Sequence, residues 1–144
     1  MSLTADDLNR MLLERLPPGL RIPPPCLTGM GAEPVAYRDG ESLAMRFPVR
    51  PEYANPLGFM QGGFIVAALD NTLGPFSYLI APPSVTSRLS IDYLRPVPPG
   101  MPWIECEARL LQRTSRNLYL AGEARGPDGK VIALCQSTCQ IVAP

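Results

Sequence analysis

Apolar side chains recur at helical spacing near the start of the chain, at Leu8, Met11, Leu12 and Leu16. Thr4 stands where an N-cap belongs, and Asp6 and Asp7 place negative charge in the first turn. Pro17-Pro18-Gly19 stops this helix. Residues 20–32 hold five Pro or Gly and no period, which predicts a loop. Alternation then begins: Val35 and Tyr37, a break at Asp39-Gly40, and Leu43, Met45, Phe47 and Val49 predict a hairpin with a tight turn.

The segment that follows changes character. From 53 to 87, thirty-five residues in a row, the only charged side chain is Asp70. Its middle, 62–80, carries helix-compatible apolar residues on every side, which predicts a buried central helix. The unbroken apolar run from Phe64 to Leu69 is far shorter than the ~18–20 residues of a membrane span. Beyond Pro83, period-two alternation marks 85–94, 103–112, 117–124 and 130–142, read as an antiparallel meander of four strands. The order helix, two strands, one long helix, four strands makes an α+β chain. The expected division is an N-terminal helix and Pro-rich lead-in over 1–32, and a main domain over 33–144.

At 144 residues the chain has room for one domain and no separate cofactor module. Thirteen basic and thirteen acidic residues cancel, so no overall field draws it to nucleic acid or an anionic membrane. Eighteen prolines cluster between the periodic segments and act as boundaries. Histidine is absent, which excludes Ser–His and Cys–His catalysis. Cys26, Cys106, Cys135 and Cys139 lack metal-binding spacing and read as reduced core thiols without a metal. With no recognisable signal peptide, the expected compartment is the cytoplasm.

Two features carry chemistry. An aspartate inside an apolar helix is costly unless paired or functional, and no Lys or Arg accompanies Asp70 in its segment. Burial there would push its pKa upward. The same helix begins with Gln61-Gly62-Gly63, which reads either as a tight glycine turn or as open backbone amides that polarise a carbonyl. Helix rise puts Gly63 and Asp70 ~10 Å apart, too far for one carbonyl to meet both within a single chain.

Asn55-x-x-Gly58-x-x-Gln61-Gly62-Gly63, then Leu69-Asp70-Asn71, then Tyr93-Leu94-Arg95-Pro96 resemble the hotdog-fold acyl-CoA thioesterases of the phenylacetate-pathway (PaaI) type. That family shows N-x-x-G-x-x-H-G-G, an L-x-D helix motif and a strand ending in F/Y-L-x-P. The resemblance runs over roughly residues 33–142. It implies the hotdog fold, an antiparallel sheet wrapped around one long helix, obligatorily dimeric and often tetrameric. The implied activity is hydrolysis of an acyl-CoA thioester without a cofactor.

By the same resemblance, Asp70 is nucleophile or general base, the Gly63 and Gly62 amides polarise the thioester carbonyl, and Asn55 orients the water or carbonyl. Aspartate and Gly-Gly amides then come from opposite subunits. A strand hydroxyl that positions water falls on Thr86 or Ser87. Gln61 replaces the family's histidine; it can donate a hydrogen bond to the carbonyl but cannot exchange a proton near neutrality. Arg113, Ser115 and Arg116 are either a solvated turn or the site of the coenzyme A phosphates, with Arg88 and Arg95 behind them. The expected acyl pocket is lined by Leu57, Phe59, Met60, Leu73, Phe76 and Tyr78, suiting a medium-chain or aromatic acyl group. A non-catalytic acyl-CoA-binding or regulatory module is the alternative; hydratase chemistry is weakened by the missing histidine.

Overall fold

The computed structural model describes residues 1–142. Helix α1 spans Ala5–Arg15 and opens with a reciprocal cap: the Thr4 hydroxyl accepts from the Asp7 amide at 3.1 Å, and Asp7 Oδ2 accepts from the Thr4 amide. The stretch expected to be all loop contains a short helix α2, Pro25–Gly29, opened by proline at its first position, where no amide is needed. Strands β1 (Glu33–Arg38) and β2 (Ser42–Pro48) form the expected hairpin, with Gly40 at φ 73° in its turn. Helix α3 runs Gly62–Ile80, followed by β3 (Ser84–Tyr93), β4 (Trp103–Arg113), β5 (Asn117–Arg125) and β6 (Val131–Ile141).

All pairings are antiparallel, and the sheet order is β1-β2-β4-β5-β6-β3. The expected meander holds for β4-β5-β6 only. β3 crosses to the far edge and pairs with β6, because β2 and β5 occupy the two edges of β4. Helix α3 lies across one face of the sheet. Leu69, Leu73 and Phe76 beneath it are fully buried with Met45 and Phe47 of β2, Ile104 of β4 and Leu118 and Leu120 of β5. Although α3 is long and apolar enough to cross a membrane, it serves as this core. At Gly122 the sheet packs tightly under the helix: a Cβ there would sit 2.7 Å from Cys135 Sγ of β6 and 3.4 Å from Leu69 Cδ2 of α3. On the sheet's other face, Arg46 lies 3.7 Å above the Trp103 ring and 3.0 Å from Glu105.

The second face of α3 turns outward, so the helix is not buried all round. Phe64 and Asp70 are exposed on the single chain, and Val66 and Ala67 are half-buried. Burial of Asp70, expected from its apolar neighbours in sequence, is not met: those neighbours point into the sheet, and the carboxylate points away. α1 covers part of this outer side, with Leu8 and Leu12 buried in the core.

Candidate active site

The start of α3 is held by the loops before and after it. Asn55 Oδ1 accepts from the Leu57 and Phe59 amides, both at 3.0 Å, and folds residues 55–60 into a compact loop. Asn55 therefore spends its acceptor on its own loop. The Met60 amide donates to Val97 O at 3.0 Å and the Gln61 amide to Tyr53 O at 2.7 Å. Phe64 stacks on Tyr53 with ring centroids 4.3 Å apart.

Gln61 is itself the N-cap: its Oε1 accepts from the Gly63 amide at 2.8 Å. The Gly63 amide, expected to be open, is thus occupied. Gln61 Nε2 and the Gly62 amide have no acceptor among the described residues. Across the same peptide unit, the Tyr93 hydroxyl donates to Gly62 O at 2.7 Å. A Cβ on Gly62 would stand 3.0 Å from that phenol ring, and one on Gly63 2.7 Å from Gln61 Oε1, so a side chain at Gly63 has to displace the Gln61 cap. In sequence Tyr93 stands out only as part of the Tyr93-Leu94-Arg95-Pro96 motif, and its hydroxyl is the one signal there for this role. Burial pushes its phenol pKa upward and keeps it a donor.

Asp70 lies on the outward face of α3. The Thr86 hydroxyl on β3 donates to its Oδ1 at 3.0 Å, whereas Ser87, at a bulge in β3, donates to Thr138 O of β6 at 3.1 Å. Geometry thereby separates the two hydroxyls. Asp70 Oδ2 has no donor, and the carboxylate no ion pair, among the described residues. Asp70 and Thr86 open into a cavity of about 530 Å³, within the ~300–1,000 Å³ range of small-molecule sites. Tyr78 lines it, and its apolar walls include Leu12, Leu16, Leu20, Ile22 and Val85, with Arg21 the one basic residue in the lining. Tyr78 is half-buried, and its phenol pKa is raised by that desolvation first and by nearby Cys139, Asp70 and Cys26 next.

Other expected pocket residues fall elsewhere. Leu73 and Phe76 are in the sheet-facing core, because helical spacing alone does not say which face meets the sheet. Leu57 is 77% exposed at the tip of the Asn55 loop. Phe59 and Met60 line a second cavity of about 370 Å³ together with Asn55, Gly62, Tyr93 and Arg95. Arg113 turns to α3, where its guanidinium donates to Ile80 O at 3.0 Å and caps the helix end. Ser115 and Arg116 are exposed in the β4–β5 turn, and Arg88 is exposed on β3. Arg95 donates to Val131 O at 2.6 Å. The chain therefore carries two separate clusters, a carboxylate with its hydroxyl and a helix N-terminus with donors, in different cavities.

Four thiols are free. Cys106, Cys135 and Cys139 are buried, but Cys26 is exposed at the Asp70 cavity and is not a core thiol. Burial pushes the Cys135 thiol up to about 11 and raises Cys106 and Cys139 as well. Among the described residues no group of three or more His, Cys, Asp or Glu could hold a metal.

The family model of the thioesterase superfamily matches residues 57–133, just over half of the chain and the stretch that holds Gln61, Gly62, Gly63, Asp70 and Thr86. No curated protein matches by sequence. Among solved structures, a phenylacetic acid degradation-related protein from Ralstonia eutropha JMP134 is 25% identical, with a TM-score of 0.79 over 93% of this chain and 98% of that one. A conserved Pseudomonas aeruginosa protein is 29% identical, with a TM-score of 0.73 over 86% of this chain and 98% of that one. The smu.793 protein of Streptococcus mutans, bound to acetyl-CoA, is 18% identical with a TM-score of 0.74, covering 88% of this chain and 96% of that one. These structures share the hotdog fold with this chain.

Proposed function

The chain belongs to the thioesterase superfamily and is an acyl-CoA thioester hydrolase, and from that premise we propose that its substrate is a medium-chain or aromatic acyl-CoA and that Asp70 carries the reaction. The observation that supports this most is the Asp70–Thr86 pair at the mouth of a largely apolar cavity of about 530 Å³. Thr86 holds Oδ1, so Oδ2 is the oxygen left to take a proton from water or to attack the thioester carbonyl. Water adds to that carbonyl, the C–S bond breaks, and the products are the carboxylic acid and free coenzyme A.

The developing oxyanion needs donors, and these sit at the start of α3. The Gly62 amide and Gln61 Nε2 are free to give them, while the Gly63 amide becomes available only when the Gln61 side chain swings off. Tyr93, donating to Gly62 O, fixes the Gly62–Gly63 peptide plane and polarises its N–H. Asn55 acts by shaping the loop that presents this end. Helix rise separates the donors from Asp70 by ~10 Å, so the proposed site joins Asp70 of one protomer to the partner's Gly62 and Gly63 across a twofold axis. The unpaired edge of β3, with Val85, Tyr93 and neighbouring Leu94 exposed, supports that pairing. Arg116 is proposed to face the coenzyme A phosphates. The four free thiols suit a reducing compartment such as the cytoplasm.

A panel of acyl-CoA substrates with free-thiol detection tests the reading. Release of coenzyme A should be fastest for medium-chain or aromatic groups, and Asp70→Asn should lower kcat about a hundredfold or more. An Asp70→Asn enzyme as fast as the parent would remove the carboxylate from the mechanism.

A further inference from the structure

The Asp70 cavity has a wall that hydrolysis does not require. Leu16, Leu20, Arg21, Ile22 and Pro24 reach it from the N-terminal stretch, which precedes the residues matched by the superfamily. That stretch is fastened at both ends. On one side Leu8 and Leu12 of α1 are buried in the core, and on the other Leu27 of α2 is buried. Beside the second fastening stands Asn71, the residue after Asp70. Its Nδ2 donates to Cys26 O at 3.4 Å and lies 3.3 Å from Met30 Sδ, and Cys26 Sγ donates to Asn71 Oδ1 at 3.4 Å.

Between the fastenings, residues 16–24 cross the cavity as a strap. Pro17, Pro18, Pro23 and Pro24 restrict its backbone, so it holds its place without a sheet or a long helix. Leu20 stays 52% exposed there, a large apolar side chain held at the rim of a cavity whose other rim carries the carboxylate.

We propose that this strap selects the acyl group: Leu16, Leu20 and Ile22 form the wall that the distal end of an uncharged acyl chain meets, and so set the longest chain the enzyme accepts. The proposal rests on the acyl-CoA reading of the Asp70 site. Its physical content is simple. Each methylene that enters an apolar cavity leaves water and tightens binding by about three- to fourfold. Once the chain end reaches the wall, a further methylene must displace packed side chains, and the gain stops or reverses.

The test uses the full-length protein carrying Asp70→Asn, which holds the ligand uncleaved, titrated calorimetrically with straight-chain acyl-CoAs from butanoyl to tetradecanoyl. Affinity should climb about three- to fourfold per methylene up to a break. Leu20→Trp, which fills the cavity, should move the break to chains shorter by about two carbons, and the Leu20→Ala/Ile22→Ala pair should move it to longer ones. With Asp70 intact, the kcat/KM profile should shift in the same directions. Thermal melts of each variant establish that the fold is kept, and Leu20→Ala alone is the milder substitute should the pair fail to fold. A break that stays put in both directions overturns the strap's role while leaving the hydrolase reading in place. No binding of any chain length overturns the acyl-CoA reading and the strap with it.

Discussion

At the start of α3 one peptide unit carries two opposed demands. Gln61 closes the Gly63 amide, and Tyr93 pulls on the carbonyl of the same peptide. Gln61→Ala removes both the cap and a side-chain donor; it should lower kcat by roughly tenfold to a few hundredfold, the scale of one oxyanion hydrogen bond. Tyr93→Phe keeps the ring and removes only the hydroxyl. It should lower kcat by about tenfold with little change in KM, as read by steady-state kinetics across the acyl-CoA panel. The thiols give a second residue-scale expectation. The folded pKa of Cys135 lies at about 11, above the ordinary thiol value of 9.0, so the folded state favours the neutral thiol. The stability this contributes is present below about pH 9 and is lost as pH rises towards 11. Iodoacetamide at pH 8 should therefore modify Cys26 alone in the native protein, with mass spectrometry of the digest locating the label.

At the scale of elements, α3 was legible down to its ends, because Gln61-Gly62-Gly63 and Pro82-Pro83 bracket one apolar run. Its orientation was not. Leu73, Phe76 and Asp70 all sit in that run, and only contact with the sheet decides that the first two turn inward and the third outward. The strands were legible from alternation, yet alternation names no partner, so the place of β3 beside β6 had to come from the structure. α2 escaped because its five residues are too few to show a period and contain both Pro25 and Gly29. Within the site, Asp70, Gly62 and Gln61 were legible as odd residues in their settings; the strap was not, because Leu20 and Ile22 belong to an aperiodic stretch far from Asp70 in sequence. Helix and sheet meet at Gly122, where a methyl group would fall 2.7 Å from Cys135 Sγ. Gly122→Ala should cost about 1–3 kcal/mol by overpacking, seen as a lower urea midpoint with an unchanged slope.

For the whole molecule, the separation of donors from carboxylate makes a strict demand. An Asp70→Asn chain and a Gly63→Val chain should each form inactive homodimers, the second because the branched side chain displaces Gln61, whose Oε1 stands 2.7 Å from the Cβ position, and crowds the amide that has to meet the carbonyl. Mixed under exchange, verified heterodimers should regain one working site of two, measured as free coenzyme A released per heterodimer. No recovery would place the whole site within one subunit. Outside the cavity walls, the sheet's far face is laced by Arg46, Glu105, Glu123 and Arg125, pairs of 3.0 Å or less that are half-exposed and so add little to stability singly.

The position of β3 at the far edge also has a consequence in time. Among the described residues its one partner in the sheet is β6, which follows β4 and β5 in the chain, so the hairpin and the β4-β5 pair can form before β3 has anything to bond. Pairing β3 with β6, like pairing β2 with β4, closes a long loop and carries more closure entropy than the hairpins do. Asp70 and Thr86 meet only once β3 is seated, since one rides on α3 and the other on β3. Until β3 is seated on β6, the chain therefore holds a helix and a partial sheet but no assembled carboxylate–hydroxyl pair.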